Sequence, residues 1–255
     1  MKRQSILMAI VAGLSLMVLL GVLGIGFSQR GQAEESPDPT PILQYPDVPP
    51  TPTIASQPTN VPSLAGTVLF TDDFSSEESL SNWTFIDLEQ VLPGTQSVWV
   101  VQDGRLVQDR TAEARNPSIR ETLAVTGSPS WTDYTITAEV YDQENATFGL
   151  VARRQGNSFY RYRIIADTYE ATPKQVLEKV VDGVATPLVE IDAPGYEQRR
   201  WYTVSLSVVG SDIQASLDGN VVAEATDTTL TNGQAGLYTR AMGGIFFDDV
   251  IVVAP

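Results

Sequence analysis

Hydrophobic and polar positions fall into three textures along the chain. From Ile6 to Phe27 an apolar run is broken by no charge, and a helix of that length spans about 30 Å of hydrocarbon. Residues 36 to 62 carry proline every few positions and little that could pack, the pattern of an extended, polyproline-like spacer. From Gly66 onward, short alternating or β-branched runs predict strands over 67–70, 98–102, 105–108, 134–141, 147–153, 159–166, 175–181, 201–209, 212–217, 221–226, 234–239 and 244–253. Between them stand Asp103-Gly104, Gly156-Asn157, Asp182-Gly183, Gly210-Ser211, Asp218-Gly219 and Asn232-Gly233, dipeptides that supply the positive φ of tight turns. After Gly66 no sustained helical period appears; the one ambiguous place is Glu77 to Asn82, where Ser76 could cap a single helical turn.

Many short strands joined by tight turns predict an all-β fold, a two-sheet antiparallel jelly-roll sandwich. The chain then divides into an N-terminal membrane anchor or signal segment at 1–30, a Pro/Thr-rich disordered linker at 31–65 and the sandwich at 66–255. Alternation assigns a core face. Tyr134, Ile136, Ala138 and Val140 point one way in their strand, and Tyr202, Val204, Leu206 and Val208 one way in theirs. The clearest hairpin joins 212–217 to 221–226 through Asp218-Gly219-Asn220.

Composition narrows the function. The chain has 16 basic and 31 acidic residues, a net charge of -15 that falls mostly on the sandwich, and such a surface repels nucleic acid. It contains no cysteine and no histidine, which removes disulfides, thiolate and imidazole metal sites, and the Ser-His-Asp and Cys-His triads. Enzymes working with carboxylates alone pass this filter. Lys2 and Arg3 ahead of the apolar run favour the cytoplasmic side, which sends the rest outward as a single-pass cell-membrane protein. The alternative is secretion after cleavage near Gly31-Gln32-Ala33. The spacer reads as a stalk, with a PxxP recognition ligand as the second reading.

The order of several motifs resembles the concanavalin A-like lectin and glucanase superfamily. It is most similar to the laminin-G-like jelly rolls that include 3-keto-disaccharide hydrolase type domains and carbohydrate-binding modules. The motifs are Asp72-Asp73-Phe74-Ser75 with Trp83, Trp99 to Gly104, Trp131-Thr132-Asp133-Tyr134, Phe148 to Arg153 and Asn157 to Tyr162. They continue through Lys179 to Gly183, Trp201, Leu217-Asp218-Gly219-Asn220, Gly233 to Leu237 and Phe246 to Val250. The resemblance covers nearly all of 66–255. It implies a jelly roll with paired first and last strands, and sugar recognition as the commonest activity of the group.

Three sets of residues carry candidate chemistry. Hydrolases of the group place carboxylates two apart on one strand; the nearest run here, Glu139 to Glu144, departs from that pattern and reads as a solvated strand end. Asp72, Asp73, Asp248 and Asp249 would approach one another if the terminal strands pair, which makes calcium the candidate cofactor, or else they cap turns. Arg153, Arg161 and Arg163 with Tyr160 and Tyr162 are the candidate ligand-binding residues, since sugars stack on rings and take hydrogen bonds from guanidinium groups. Alternation separates Tyr160 and Tyr162 from Phe159, Arg161 and Arg163, so one of these faces is core. The expectation is a membrane-tethered module that binds glycan or another extracellular polymer without catalysis. A sugar-acting hydrolase and an envelope structural or protein-contact module are the alternatives.

Overall fold

The computed structural model describes Tyr45 and residues 48–52, 66–91, 94–110, 121–168, 172–240 and 243–255. The apolar run Ile6 to Phe27 lies outside them; among the described residues no helix is long and apolar enough to cross a membrane.

The strands are β1 (Thr67–Asp72), β2 (Thr84–Asp87), β3 (Val98–Gln102), β4 (Arg105–Arg110), β5 (Glu121–Thr126), β6 (Tyr134–Asp142), β7 (Thr147–Gln155) and β8 (Ser158–Ile165). They continue with β9 (Gln175–Val181), β10 (Val184–Ile191), β11 (Trp201–Val209), β12 (Asp212–Leu217), β13 (Asn220–Thr226), β14 (Gln234–Arg240) and β15 (Ile245–Ala254). One sheet has the order β13-β12-β11-β6-β15-β4-β3, with β1 also paired to β15, and the other β10-β9-β8-β7-β14-β5-β2. All of the strand pairs are antiparallel, and the expected pairing of first and last strands is present, with Asp72 opposite Val250.

Three strands escaped the periodicity. β10 lies at a sheet edge, is largely exposed and carries Pro187, so it shows no apolar alternation and includes a residue that edges tolerate. β2 is only four residues long, and β5, six residues long, is apolar on both faces rather than alternating, with Leu123, Ala124 and Val125 all buried. The expected helical turn is present as a 3-10 turn over Glu77–Asn82, but Ser76 makes no side-chain capping bond to it.

The core lies between the sheets and contains both predicted faces, Tyr134, Ile136, Ala138 and Val140 from β6 and Tyr202, Val204, Leu206 and Val208 from β11. The turn chemistry is local. Asp103 and Gly104 both take positive φ, 51° and 71°, as a two-residue hairpin between right-twisted strands requires. Asn232-Gly233 makes no hairpin, since β13 and β14 lie in different sheets. Gly233 instead lets the chain pass Arg153, where a Cβ would lie 2.3 Å from a backbone carbon.

The antiparallel order gathers the loops at two ends. One end holds the β6–β7, β8–β9, β10–β11 and β12–β13 connections, the other the β7–β8, β9–β10 and β11–β12 connections. Of the linker read at 31–65, only Tyr45 and residues 48–52 are among the described residues; Tyr45 and Val48 pack on Tyr141, Phe246 and Val107 on the outer face of the eight-stranded sheet.

Candidate functional site

The residues singled out for binding are distributed over three places. Tyr160 and Tyr162 fill the core between the sheets, Tyr160 donating to Asp227 at 2.7 Å and Tyr162 to Gln175 at 2.6 Å. Burial pushes the Tyr160 phenol up to about 12. Arg161 and Arg163 project from the opposite side of β8 and share Glu178 Oε1, at 2.7 and 2.8 Å. Arg161 also reaches Glu121 at 3.2 Å and lies 4.4 Å over the Tyr238 ring. Burial opposes its charge, and Tyr238, Glu121 and Glu178 together outweigh burial and hold it ionised.

Arg153 is 1% exposed and sits at the end opposite the β8–β9 loop. A bulge in β7 gives it a φ of 51°, a left-handed conformation costly for a side chain with a Cβ. The bulge turns its guanidinium under the loops, where Nε donates to Thr132 O at 2.8 Å and Nη1 to Gly210 O at 2.8 Å and Leu230 O at 3.0 Å. Nη2 meets Asp133 at 3.1 Å. These donors hold three loops together and leave the side chain no outward face.

The acidic residues near the terminal strands are likewise divided. Asp72 accepts from Trp83 Nε1 and from Phe74 N, both at 3.0 Å, and faces inward. Asp73 is exposed and is held below the ordinary carboxylate range by hydrogen bonds within its own turn from Ser75. Asp248 accepts from Thr51 and from Asp249 N. Burial raises Asp249, and the charge of Asp73 raises it further, so these two carboxylates sense each other. Among the described residues no group of three or more such side chains is arranged to hold a metal ion. Asp142, from the run with hydrolase-like spacing, is a loop clamp that accepts from Glu144 N at 2.9 Å, Ala146 N at 3.0 Å and the Tyr196 hydroxyl.

The concave site lies elsewhere, at the end where the β8–β9, β10–β11 and β12–β13 connections meet. It is a groove of about 500 Å³ between the two sheet edges. Its apolar lining is Ile191, Leu217 and Val222, all half-buried. The polar lining includes Arg200, Asp218, Asn220, Glu197 and Asp167. Gln175 at the floor donates to Pro194 O at 2.6 Å while accepting from Tyr162, so its orientation is fixed from both sides.

Local chemistry explains how these groups are held. Asp218 is the first residue of the β12–β13 turn, with φ 49°, and its Oδ1 accepts from Thr203 N at 3.1 Å. Its Oδ2 takes Arg200 Nη2 at 2.5 Å, which lays the guanidinium 4.5 Å above the Tyr202 ring. The Arg200 and Asp218 side chains remain 54% and 32% exposed, so the pair is oriented yet open to solvent. Tyr202 in turn accepts from Glu197 N at 2.8 Å and fixes the β10–β11 loop. Asp167 Oδ1 accepts from Gly195 N at 2.5 Å. The Glu197 carboxylate and Asp167 Oδ2 take no hydrogen bond from the described residues and belong to exposed residues that line the groove. The result is a half-apolar, half-polar groove offering guanidinium, amide and carboxylate groups in fixed positions, the complement of a molecule with apolar C–H faces and many hydroxyls.

The sequence marked Asp218 and Asn220 only as turn residues and gave no role to Arg200, Glu197 or Asp167. The available signal was the pair Arg199-Arg200 beside Trp201-Tyr202 in a domain poor in bases. The loops that complete the site are brought together only by the strand order.

The family model described as galactocerebrosidase, C-terminal lectin domain matches residues 114–254, a stretch that contains every residue of the groove. An extracellular exo-alpha-L-arabinofuranosidase of Streptomyces chartreusis is 30% identical over 171 residues, 66% of this chain and 18% of that protein. Among solved structures, a Bacillus subtilis protein of unknown function with a galectin-like fold is 12% identical at a TM-score of 0.55, covering 74% of this chain and 96% of the other. A glycosyl hydrolase family protein from Mycobacterium fortuitum is 13% identical at a TM-score of 0.50, covering 73% and 99%. The chain thus has the fold expected from its resemblance to the concanavalin A-like sandwiches, shared with galectin-like domains.

Proposed function

Because the chain belongs to the galactocerebrosidase C-terminal lectin domain family, we propose that its sandwich binds carbohydrate, and that the groove around Arg200 and Asp218 is where it does so. One observation carries the assignment. The guanidinium of Arg200 is held by both a carboxylate and a ring face yet stays half exposed beside an apolar wall. Orientation without burial is what recognition needs, since a preorganised donor loses little freedom when a hydroxyl replaces water.

The carboxylates of the groove favour neutral sugars. Among the described residues that line it, Asp167, Glu197 and Asp218 stand against Arg200, so an acidic saccharide would meet net repulsion. Asp218 and Asp167 already accept hydrogen bonds from the protein, which suits fixed acceptors better than proton-transferring groups. The arabinofuranosidase relative is far longer than this chain, so binding, as one module of such proteins does not require catalysis, is the reading we adopt.

The same proposal includes address and tether. The apolar run Ile6 to Phe27 would anchor the chain and the proline-rich residues would carry the sandwich outside the membrane. The test is a glycan array followed by calorimetry on the full chain in detergent micelles, with and without calcium. Arg200→Ala and Asp218→Asn should each lower affinity for the best neutral saccharide at least about tenfold. Equal affinity in the variants would remove the groove from consideration, and silence across a broad panel would remove carbohydrate. Dependence on calcium would return attention to Asp73 and Asp249.

A further inference from the structure

On the outer face of the eight-stranded sheet a row of side chains crosses five strands. Trp201 of β11 is the register partner of Tyr141 of β6, Tyr141 of Phe246 of β15, Phe246 of Val107 of β4, and Val107 of Val100 of β3. The rings interlock, Tyr141 to Trp201 at 5.3 Å between centroids and Tyr141 to Phe246 at 6.0 Å. An apolar row of this width on an outward face marks a contact surface. Beside it runs a polar row in which Glu139 is the register partner of both Thr203 and Asp248.

Part of the proline-rich segment occupies both rows. Tyr45 meets Phe246 edge-on at 5.3 Å, and its hydroxyl donates to Asp109 O at 2.9 Å. Val48 packs on the same cluster. Trp201 Nε1 donates to Pro49 O at 3.0 Å, and Arg105 Nη2 donates to the same carbonyl at 3.4 Å while lying 5.6 Å over the Trp201 ring. Arg105 Nε then donates to Thr51 Oγ1 at 3.1 Å, and Thr51 donates on to Asp248.

Proline-rich chain suits such a surface for a physical reason. Its φ is fixed before binding, so docking costs little backbone entropy, and its carbonyls have no internal partners and await donors. A ring face for the apolar side and an indole N–H for a carbonyl satisfy both needs at once. We propose that this face is a docking groove for extended proline-rich peptide, and that its occupants are Tyr45 and residues 48–52 of the same chain. Tyr45 and residues 48–52 are therefore held by the sandwich that follows them. The inference stands apart from sugar binding, which uses the groove around Arg200.

The chain lacks cysteine, so two introduced thiols label it uniquely. Pro50→Cys and Val209→Cys sit at exposed positions on the segment and on β11. Pulsed electron spin resonance on the full chain in micelles should give one narrow distance. Val48→Asp combined with Trp201→Phe, which keeps the ring and deletes the donor, should widen the distribution at least about twofold, as for a flexible linker. A synthetic peptide of residues 42–54 in excess should widen it likewise by taking the groove. Far-UV circular dichroism of the Val48→Asp variant alone, altered outside the sheets, must match the parent for the comparison to count; a mismatch would mean the segment is needed for folding rather than docked on a finished surface, and would overturn the proposal. A broad distribution in the parent, or a narrow one in the double variant, would overturn it. So would displacement by oligosaccharides but not by the peptide, which would make the face a sugar platform.

Discussion

The two ends of the sandwich each hold an arginine paired with an aspartate, and the pairs do different things. At one end Arg153 is 1% exposed and spends its donors on three loop carbonyls as well as Asp133. At the other, Arg200 has Asp218 for a partner, the Tyr202 ring beneath it, and a side chain 54% exposed. The ion pair is the same chemistry in both places. What separates a loop clamp from a recognition group is how many donors the protein consumes and how much water reaches the remainder.

Replacing Arg153 should break the contrast most sharply. Arg153→Ala leaves the carbonyls of Thr132, Gly210 and Leu230 without their donor and should cost about 3–5 kcal/mol in chemical denaturation. A loss below about 1 kcal/mol, the range of exposed pairs, would mean that the clamp does not hold the loops.

Acid and base should separate the two ends next. At the groove end Asp142 is buried, and burial raises its carboxyl to about 6 against an ordinary 3.8 despite hydrogen bonds from Tyr196, Glu144 and Ala146. A group that binds its proton more tightly when folded contributes stability that is complete below about 3.8 and is lost as pH rises through about 6. Glu139, raised by burial to about 7 from 4.5, acts in the same direction over a slightly higher window. At the Arg153 end Asp227 behaves oppositely: burial would raise it, but hydrogen bonds from Lys179, Thr229 and Tyr160 prevail and hold it well below its ordinary 3.8. Its contribution is present above that value and lost as pH falls beneath it. Unfolding free energy measured from pH 4 to 7 should therefore decline, and Asp142→Asn and Glu139→Gln should each flatten the decline. A parent stability that rises across that interval would refute the assignment.

Arg200→Ala should lower saccharide affinity about tenfold while changing stability by less than about 1 kcal/mol, because an exposed pair contributes little to folding. A large loss of stability would turn Arg200 into a second clamp. At the Arg153 end the smaller effect is expected at Asp133, which is 45% exposed on its side chain; Asp133→Ala leaves Arg153 its carbonyls, removes the acceptor of Gly210 N and should cost about 1 kcal/mol, read from the denaturation midpoint.

Much of this architecture was written in periodicity. Strands such as β6 and β11 alternate so cleanly that their inner faces could be named residue by residue, and the Asp-Gly turns declared their backbone by composition. β10 was hidden because an exposed edge strand with a proline has no buried side to impose a pattern. Of the candidate site, Tyr160 and Tyr162 were correctly separated from Arg161 and Arg163, but alternation cannot tell which face looks inward. Arg153 was unreadable for a further reason, since a bulge reverses the direction that simple alternation would give it.

The sequence by itself determined the all-β class, the strand directions of the inner faces, the absence of thiol and imidazole chemistry and the acidic surface, because each follows from side-chain identity at short range. Only the tertiary structure decided that Arg200, Asp218, Glu197 and Asp167 share one groove, and that proline-rich chain lies across Trp201 and Phe246. Those neighbourhoods are made by strands distant in sequence, and burial, which turns one arginine into a clamp and leaves another free to recognise, is a property of the packed whole.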